Sequence, residues 1–204
     1  MVLFVAGLIV SYLIGSIPTS YIVGMKGRGV DLRQCGSGNL GATNAFRVLG
    51  WKMGLLVLVL DMLKGFLPTF FLPLLIVRGK GIGLAPHNLS LLFGLAAITG
   101  HVFTIFMRFK GGKGVATSMG VFLALTPIPF AITLIVSLGI VKVSRYVSLG
   151  SLIGAILLPL LVYILQPERP LLFIITAVVG LLVIVRHRAN ISRLIRGEEH
   201  KIFP

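Results

Sequence analysis

The chain has 204 residues, of which 56% are hydrophobic and only 12% are charged, and its 19 lysines and arginines outnumber 5 acidic residues. Soluble domains carry roughly 45–50% apolar and about 25% charged residues, so this composition excludes an ordinary soluble protein, and it is also too apolar for a disordered one. Cys35 is the only cysteine, which excludes a disulfide framework within the chain. The composition predicts an all-α integral membrane protein with a single domain over residues 1–204.

Long apolar runs predict the membrane spans, since a spanning helix needs about 17–25 apolar residues. We interpret residues 2–24 as a retained span, because they lack the basic start and the small-residue cleavage site of a signal peptide. Four further spans are predicted at 53–77, 89–107, 147–165 and 170–185. The basic residues lie between these runs, which is not the pattern of a nucleic-acid-binding protein.

The uncharged stretch 115–141 is either one long span or two short spans that turn at Pro127 and Pro129, since proline disfavours helix in the residue before it. The positive-inside rule separates these alternatives. With two spans and an external amino terminus, 15 basic residues face the cytoplasm and 3 face outside, namely Arg78, Lys80 and Arg169. With one span the division is 9 and 9. The sequence therefore predicts seven spans, with the amino terminus outside and the carboxyl terminus in the cytoplasm.

The first polar segment, residues 35–47, is rich in glycine. Glycines let backbone amides bend into a concavity that attracts anions, and a short helix over 42–49 would present its amino end to the same ligand. The candidates for substrate binding are a hydroxyl, a glycine, two amides and a fixed cation: Ser37, Gly38, Asn39, Asn44 and Arg47. The alternative is a polar connector built of turn residues.

The second polar segment, residues 108–114, places two lysines around two glycines directly before a predicted span: Lys110, Gly111, Gly112 and Lys113. Backbone amides and an ammonium group that converge in this way suit a phosphate. The alternative is a basic juxtamembrane loop that touches anionic lipid headgroups.

Two further polar segments lie on the same predicted side of the membrane. Residues 186–199 follow the last span, and if they are helical, Arg186, Asn190 and Arg193 lie near one face with His187 beside them. A basic anchor is the alternative, although an anchor requires neither His187 nor Asn190. The segment 144–150 adds hydroxyls and one basic residue.

Asp61 and Lys64 lie within a predicted span, three residues apart, and can meet on one helix face. Ionisable groups in a span are costly and usually face a polar interior. We interpret them as a structural pair, with a proton or ion relay as the alternative, and His101 as a similar interior polar contact. No metal site is predicted, because no Cys, Asp or Glu lies near His101 in the sequence.

The polar segments contain no recognisable set of nucleophile, base and acid. The sequence has no Gly-x-Ser-x-Gly elbow and no His-x-x-x-x-Asp pair. A site of this composition is expected to work without a cofactor, by gripping phosphorylated groups and positioning them.

Six motifs, in order along nearly the whole chain, resemble the bacterial acyl-phosphate:glycerol-3-phosphate acyltransferases, the PlsY family. They are Gly-Ser-Gly-Asn-x-Gly-Ala-Thr-Asn at 36–44 with Arg47, Asp-x-x-Lys-Gly at 61–65, Gly-His at 100–101, Phe-Lys-Gly-Gly-Lys-Gly-Val-Ala-Thr at 109–117, Tyr-x-Ser-Leu-Gly at 146–150 and Arg-His-x-x-Asn-Ile-x-Arg at 186–193.

The resemblance implies seven spans with the motifs at the cytoplasmic side of a bacterial inner membrane. It implies transfer of a fatty acyl group from acyl phosphate to the 1-hydroxyl of glycerol 3-phosphate, giving lysophosphatidic acid and phosphate. It places Ser37, Arg47, His187 and Asn190 in the catalytic set. The implied substrate contacts are Gly111, Gly112, Lys113 and Ser148, and Glu199 is implied to be a structural acid. The expected partners are the two substrates and membrane lipids, with no nucleic acid and no obligate protein partner.

Two other functions remain open on the residues alone. A transporter for an anionic phosphorylated metabolite would fit the proline break at 126–129 and the Asp61/Lys64 pair. Against it, the sequence shows no repeated half, and the polar motifs cluster on one predicted face. The third alternative is a non-catalytic lipid-binding scaffold.

Overall fold

The computed structural model describes residues 2–77 and 85–202, and its regular structure in these ranges is entirely helical. The helices are α1 (Val2–Ser16), α2 (Thr19–Arg28), α3 (Ala42–Leu49), α4 (Trp51–Val77), α5 (Pro86–Val102), α6 (Val115–Leu125), α7 (Pro127–Ser144), α8 (Val147–Leu165), α9 (Pro170–Arg186) and α10 (Arg188–Ile195), with a 3₁₀ turn at Ile105–Met107. Arg78 and Lys80, which entered the charge count, lie outside the described residues.

Five helical segments of the described chain are long and apolar enough to cross a membrane: Val2–Arg28, Trp51–Ile76, Pro86–Met107, Pro127–Ser144 and Val147–Leu165. The helices α9 and α10 meet at a 60° bend and make a sixth if they count as one span. This confirms an all-α protein with several candidate spans. The number seven and the orientation of the termini stay predictions.

The stretch 115–141 is broken at Thr126, where α6 ends and α7 begins. Pro127 occupies the first turn of α7, where its missing amide leaves no hydrogen bond unmade. Helix α6 has 11 residues, which at 1.5 Å per residue is about 16 Å, roughly half the hydrocarbon core. The proline signal therefore gave the correct break, and α6 is shorter than an ordinary span.

The described residues group into two compact units, Met1–Leu125 and Thr126–Pro204. In the first unit, α5 packs on α1 and α4, and α6 packs on α4. Glycines set the close approach of these helices: a methyl group at Gly15 would overlap the backbone of Ala97, and one at Gly120 would overlap that of Met62. Small residues that let backbones meet are typical of helix packing in membranes.

A small apolar cluster in the first unit fixes α3, which carries Arg47, onto α4. Leu32, Ala45, Leu49 and Val57 are buried in it, and Val57 belongs to α4. The segment before α3 is thus anchored by Leu32 at one end and by the buried face of α3 at the other. The first polar segment is therefore held in place by buried residues on both sides of its glycine-rich part.

In the second unit, α8 packs against both α7 and α9. Gly150 lies against the backbone of Ser137, and Gly180 lies against that of Ala155. The chain after α10 returns to the start of α8, because the amide of Ile202 donates to the carbonyl of Arg145 at 3.0 Å. This return accompanies the contact between Glu199 and Ser148.

Candidate functional site

Asn44 organises the first polar segment. Its side chain is buried, with 1% exposure. Its Oδ1 accepts a hydrogen bond from the backbone amide of Ser37 at 2.9 Å. Its Nδ2 donates to the carbonyls of Leu32 at 3.1 Å and Cys35 at 3.0 Å. Both amide hydrogens of Asn44 are therefore committed to the loop. Asn44, predicted as a substrate contact, acts in this geometry as the residue that holds the loop together.

The loop around Ser37 depends on two glycines with a left-handed backbone. Gly36 has φ 60° and lies directly against Asn44, and Gly38 has φ 67°. The amide of Gly38 donates to the carbonyl of Cys35 at 3.1 Å. The amides of residues 37 and 38 thus have partners inside the loop, which leaves the exposed hydroxyl of Ser37 as the group this turn presents to solvent.

Helix α3 begins at Ala42 directly after the loop, as the sequence predicted for residues 42–49. Arg47 lies one turn beyond Asn44 on this helix and is half-buried. Asn39 precedes the helix and is also half-buried, with its amide nitrogen against Gly41. The segment therefore holds a hydroxyl, an amide and a guanidinium on a short, anchored stretch of backbone.

The second polar segment is a tight loop tied to the end of α5. The amide of Gly111 donates to the carbonyl of Val102, and that of Gly112 to the carbonyl of His101, both at 3.1 Å. The amide of Lys110 donates to the carbonyl of Met107 at 3.0 Å. The sequence predicted that these amides bind phosphate. In the structure they satisfy the last carbonyls of α5 and its 3₁₀ turn.

Close packing explains why glycine occupies positions 111 and 112. A methyl group on Gly111 would overlap the carbonyl of His101, and one on Gly112 would overlap the imidazole of His101 and the carbonyl of Leu40. Earlier in the loop, Arg108 and Phe109 have left-handed backbone conformations, with φ values of 51° and 61°. The loop is thus folded back on α5, with Lys110 exposed and Lys113 half-buried two residues before α6 begins.

The structure brings the first two polar segments together within the first unit. Gly112 packs against the carbonyl of Leu40, which lies between Asn39 and Gly41 in the first segment. The guanidinium of Arg33 reaches the sulfur of Met107 at 3.8 Å. The loops that carry Ser37 and Lys113 are therefore neighbours, as a shared phosphate site requires.

In the second unit, His187 stands at the bend that separates α9 from α10. The sequence placed Arg186, Asn190 and Arg193 near one face if this segment is helical; the structure divides them between two helices, because α9 ends at Arg186 and α10 begins at Arg188. His187 is buried at 3% exposure and its Nδ1 lies 2.8 Å from the carbonyl of Val183. A carbonyl only accepts, so Nδ1 bears the hydrogen and a neutral ring keeps its lone pair on Nε2.

Glu199 connects the two predicted polar segments of the second unit, residues 144–150 and 186–199. Its carboxylate accepts hydrogen bonds from Asn190 at 2.7 Å, Arg193 at 2.8 Å and Ser148 at 3.1 Å. Burial alone raises the pKa of Glu199, but the hydrogen bonds from Asn190, Arg193 and Ser148 outweigh it and hold the pKa below its ordinary value. Because the hydroxyl of Ser148 donates to Glu199, a phosphate at Ser148 would compete with this carboxylate.

The acidic residues of the chain are mostly committed to basic partners. Ion pairs join Asp31 to Arg33, Asp61 to Lys64, Glu198 to Arg196, and Glu199 to Arg193. The side-chain and backbone hydrogen bonds from Arg33 also lower the pKa of Asp31. The fifth acid, Glu168, follows α8, at the end of that helix away from Ser148. Among the described residues, no carboxylate without a basic partner is therefore evident in the polar segments of either unit.

Sequence reasoning missed the structural weight of Asn44, and it assigned Glu199 a structural role without naming the partners Ser148, Asn190 and Arg193. The signal for Glu199 was its rarity, since it is one of 5 acids in a chain of net charge +14. Among the described residues, no three His, Cys, Asp or Glu side chains come close enough to hold a metal ion.

Comparison with known proteins gives a consistent family. The sequence profile of glycerol-3-phosphate acyltransferase matches residues 5–197. The glycerol-3-phosphate acyltransferase of Trichlorobacter lovleyi is 47% identical, over 94% of this chain and 93% of its own. That of Staphylococcus haemolyticus is 46% identical over 98% of both chains.

Solved structures show the same likeness. The crystal structure of PlsY (YgiH), an integral membrane glycerol 3-phosphate acyltransferase, in its glycerol 3-phosphate form matches with a TM-score of 0.85 and 43% identity, over 97% of this chain and 94% of that one. Its lysophosphatidic acid form matches with a TM-score of 0.83 and 41% identity.

Proposed function

The chain belongs to the glycerol-3-phosphate acyltransferase family, and we propose that it transfers a fatty acyl group from acyl phosphate to the 1-hydroxyl of glycerol 3-phosphate. The products are lysophosphatidic acid and inorganic phosphate. The family match confirms the resemblance drawn from the sequence motifs and makes the chain a multi-pass membrane enzyme.

The observation that carries the proposal is the meeting of the first two polar segments, where Gly112 packs on Leu40. This contact puts the anchored loop of Ser37 and the start of α6 next to each other. The amides of Gly111 and Gly112 already have partners, so a phosphate is expected to bind through side chains. We assign the cationic contacts to Arg47 and Lys113, and the polar contacts to Ser37 and Asn39.

The reaction needs little covalent chemistry from the protein. The oxygen of the glycerol hydroxyl attacks the acyl carbonyl, the bond between that carbon and the phosphate oxygen breaks, and the phosphate leaves. We assign the hydroxyl proton to a phosphate oxygen of the acyl phosphate, since four of the five carboxylates are ion-paired. The family resemblance also assigns His187 and Asn190, both buried in the second unit, to the catalytic set.

One assay tests the activity and the donor together. Purified protein is incubated with glycerol 3-phosphate and labelled acyl donors, with acyl phosphate, acyl carrier protein thioester and acyl coenzyme A in parallel. We expect labelled lysophosphatidic acid from acyl phosphate and none from either thioester. Product from a thioester alone would refute acyl phosphate as the acyl donor. Absence of product from all three donors would favour the transporter or the scaffold.

A second experiment separates direct transfer from an acyl-enzyme on Ser37. Protein is incubated with labelled acyl phosphate in the absence of glycerol 3-phosphate, denatured and analysed by intact mass. Direct transfer predicts no acyl adduct. An adduct that maps to Ser37 and disappears on addition of glycerol 3-phosphate would refute it.

We further propose seven membrane crossings in the bacterial cytoplasmic membrane, with the polar segments facing the cytoplasm. The support is the charge division of 15 against 3. The single native cysteine offers a direct test, because Cys35 lies in the first polar segment and is partly exposed. An impermeant maleimide is expected to label inside-out vesicles and not intact spheroplasts, with Cys35→Ser as the unlabelled control. Labelling of spheroplasts would show that the first polar segment faces outside, which is the opposite of the proposed orientation.

A further inference from the structure

A cluster of polar side chains lies buried in the helical part of the first unit and has no role in the proposed reaction. Thr19, Asp61, Lys64 and His101 are exposed by 8%, 1%, 6% and 6% respectively. They come from α2, α4 and α5. Ionisable groups inside a membrane protein are costly to bury and commonly mark a functional element.

Asp61 is the centre of the cluster. One of its carboxylate oxygens accepts the hydroxyl of Thr19, lies 2.8 Å from the ammonium of Lys64 and faces Nδ1 of His101 at 3.7 Å. The ammonium of Lys64 also donates to the carbonyl of Ile17 at 3.0 Å, at the break between α1 and α2. The charge of Asp61 thus holds three side chains from three helices around one oxygen.

The cluster extends through His101 to the loop that carries Lys113. The imidazole of His101 lies against Gly112, and the carbonyl of the same histidine accepts the amide of Gly112 at 3.1 Å. His101 therefore contacts the loop with its ring and its backbone, while its other ring edge faces Asp61. A shift of this ring would move Gly112, and with it the neighbouring Lys113.

A structural brace explains these contacts less well. Replacing a buried ion pair by apolar groups of similar size is often neutral or stabilising, so stability alone is a weak reason for an Asp–Lys pair. A charged pair does give a fixed geometry to whatever it contacts. Here the ion pair contacts His101, and His101 contacts Gly112, the residue before Lys113, to which we assign the phosphate.

We propose that Asp61, Lys64 and His101 form a positioning element that sets the place of Lys113 for the phosphate of glycerol 3-phosphate. The inference rests on the proposed function, because it assigns Lys113 to that substrate. The three residues act through the loop at 110–113 and touch no substrate themselves.

The test compares kinetic constants with stability in purified protein. Replacing both charges, with Asp61→Asn and Lys64→Met in one variant, avoids leaving one charge buried alone. We expect the KM for glycerol 3-phosphate to rise by about tenfold to 100-fold, as for a misplaced binding group, with the KM for acyl phosphate and the melting temperature near wild type. Unchanged KM with a lowered melting temperature would make the cluster a brace only and overturn the proposal.

A matched control comes from the same helix. Thr69 is buried at 1% exposure, and its hydroxyl donates to the carbonyl of Gly65 at 2.7 Å. Thr69→Val removes a buried hydrogen bond from α4 without touching the loop at 110–113. We expect its KM to equal that of wild type; an increase matching that of the double variant would show a general effect of disturbing α4 and refute the positioning role.

Substitutions at His101 provide the second measurement, which decides the matter if the charge variants do not fold. His101→Leu removes the polar edge beside Gly112, and His101→Gln restores an amide near it. The proposal expects a raised KM in the leucine variant and partial recovery in the glutamine variant. Equal KM values in both variants and wild type would overturn it. Inactivity of the wild-type protein itself would instead count against the proposed function.

Discussion

Asn44 offers the sharpest test of how the first polar segment is built. Asn44→Ala removes three hydrogen bonds to the loop, those to Ser37, Leu32 and Cys35. At about 1 kcal/mol for each bond, the loss is about 3 kcal/mol, which corresponds to a fall in melting temperature of about 6–12 °C for a chain of this size. Because the loop presents Ser37, activity should fall with it.

Asn44→Asp makes the test more specific. The substitution keeps the size of the side chain and the oxygen that accepts from Ser37. It replaces the two hydrogens that reach the carbonyls of Leu32 and Cys35 with a second acceptor. Two carbonyls would then face a carboxylate in a buried position, so we expect this variant to lose at least as much stability as Asn44→Ala.

The assay measures melting temperature in detergent and initial rates at several glycerol 3-phosphate concentrations. Asn39→Ala serves as the control in the same loop, because Asn39 is half-buried and its stability effect should stay within about 0.5 kcal/mol. If Asn44→Ala raises the KM while leaving the melting temperature unchanged, Asn44 binds substrate directly and the scaffold argument is wrong.

Three further predictions concern single residues. Lys113→Ala should raise the KM for glycerol 3-phosphate much more than it lowers the melting temperature, while Lys110→Ala, which alters an exposed lysine, should have the smaller effect; equal effects would remove the phosphate assignment. Gly112→Ala should reduce activity strongly, because its methyl group would overlap His101 and Leu40, and a wild-type rate in this variant would contradict the packing. Glu199 has a lowered pKa in the folded protein, so it contributes stability that is fully present above the ordinary pKa of 4.5 and is lost as pH falls through the lowered value. The melting temperature of Glu199→Gln should therefore be lower than wild type at neutral pH, with a difference that narrows in acid; a constant difference would show that the carboxylate charge plays no part.

The local features of the sequence predicted the fold well where one short segment decides the outcome. Pro127 ends one helix and starts the next, and residues 42–49 form the short helix expected after the glycines. Both depend on residues within a few positions of the feature. The apolar runs likewise follow from composition over one segment, which is why five candidate spans were found near their predicted positions.

The contacts within the site that the sequence did not predict join residues that are not local neighbours in a sequence pattern. Residues 110–112 have the composition of an anion-binding loop, and only the fold shows that the amides of Gly111 and Gly112 are taken by carbonyls of α5. The bend at His187 is similar: residues 186–193 contain no proline or glycine that would predict a break, and the structure shows a 60° bend between α9 and α10. Glu199 lies nine residues beyond Asn190, outside the reach of any helical pattern.

These internal hydrogen bonds change how the site must work. With the amides at Gly111 and Gly112 engaged, the phosphate contacts that we propose rest on the side chains of Arg47 and Lys113. Lysine is a flexible point charge, and holding it in one place costs conformational entropy. That cost is smaller when the backbone beneath it is already fixed, as the two hydrogen bonds to α5 and the contact with Leu40 fix residues 111 and 112. The hydrogen bonds that keep the amides of Gly111 and Gly112 from a phosphate therefore also fix the backbone next to Lys113, which lowers the entropy cost of the phosphate contact proposed for this lysine.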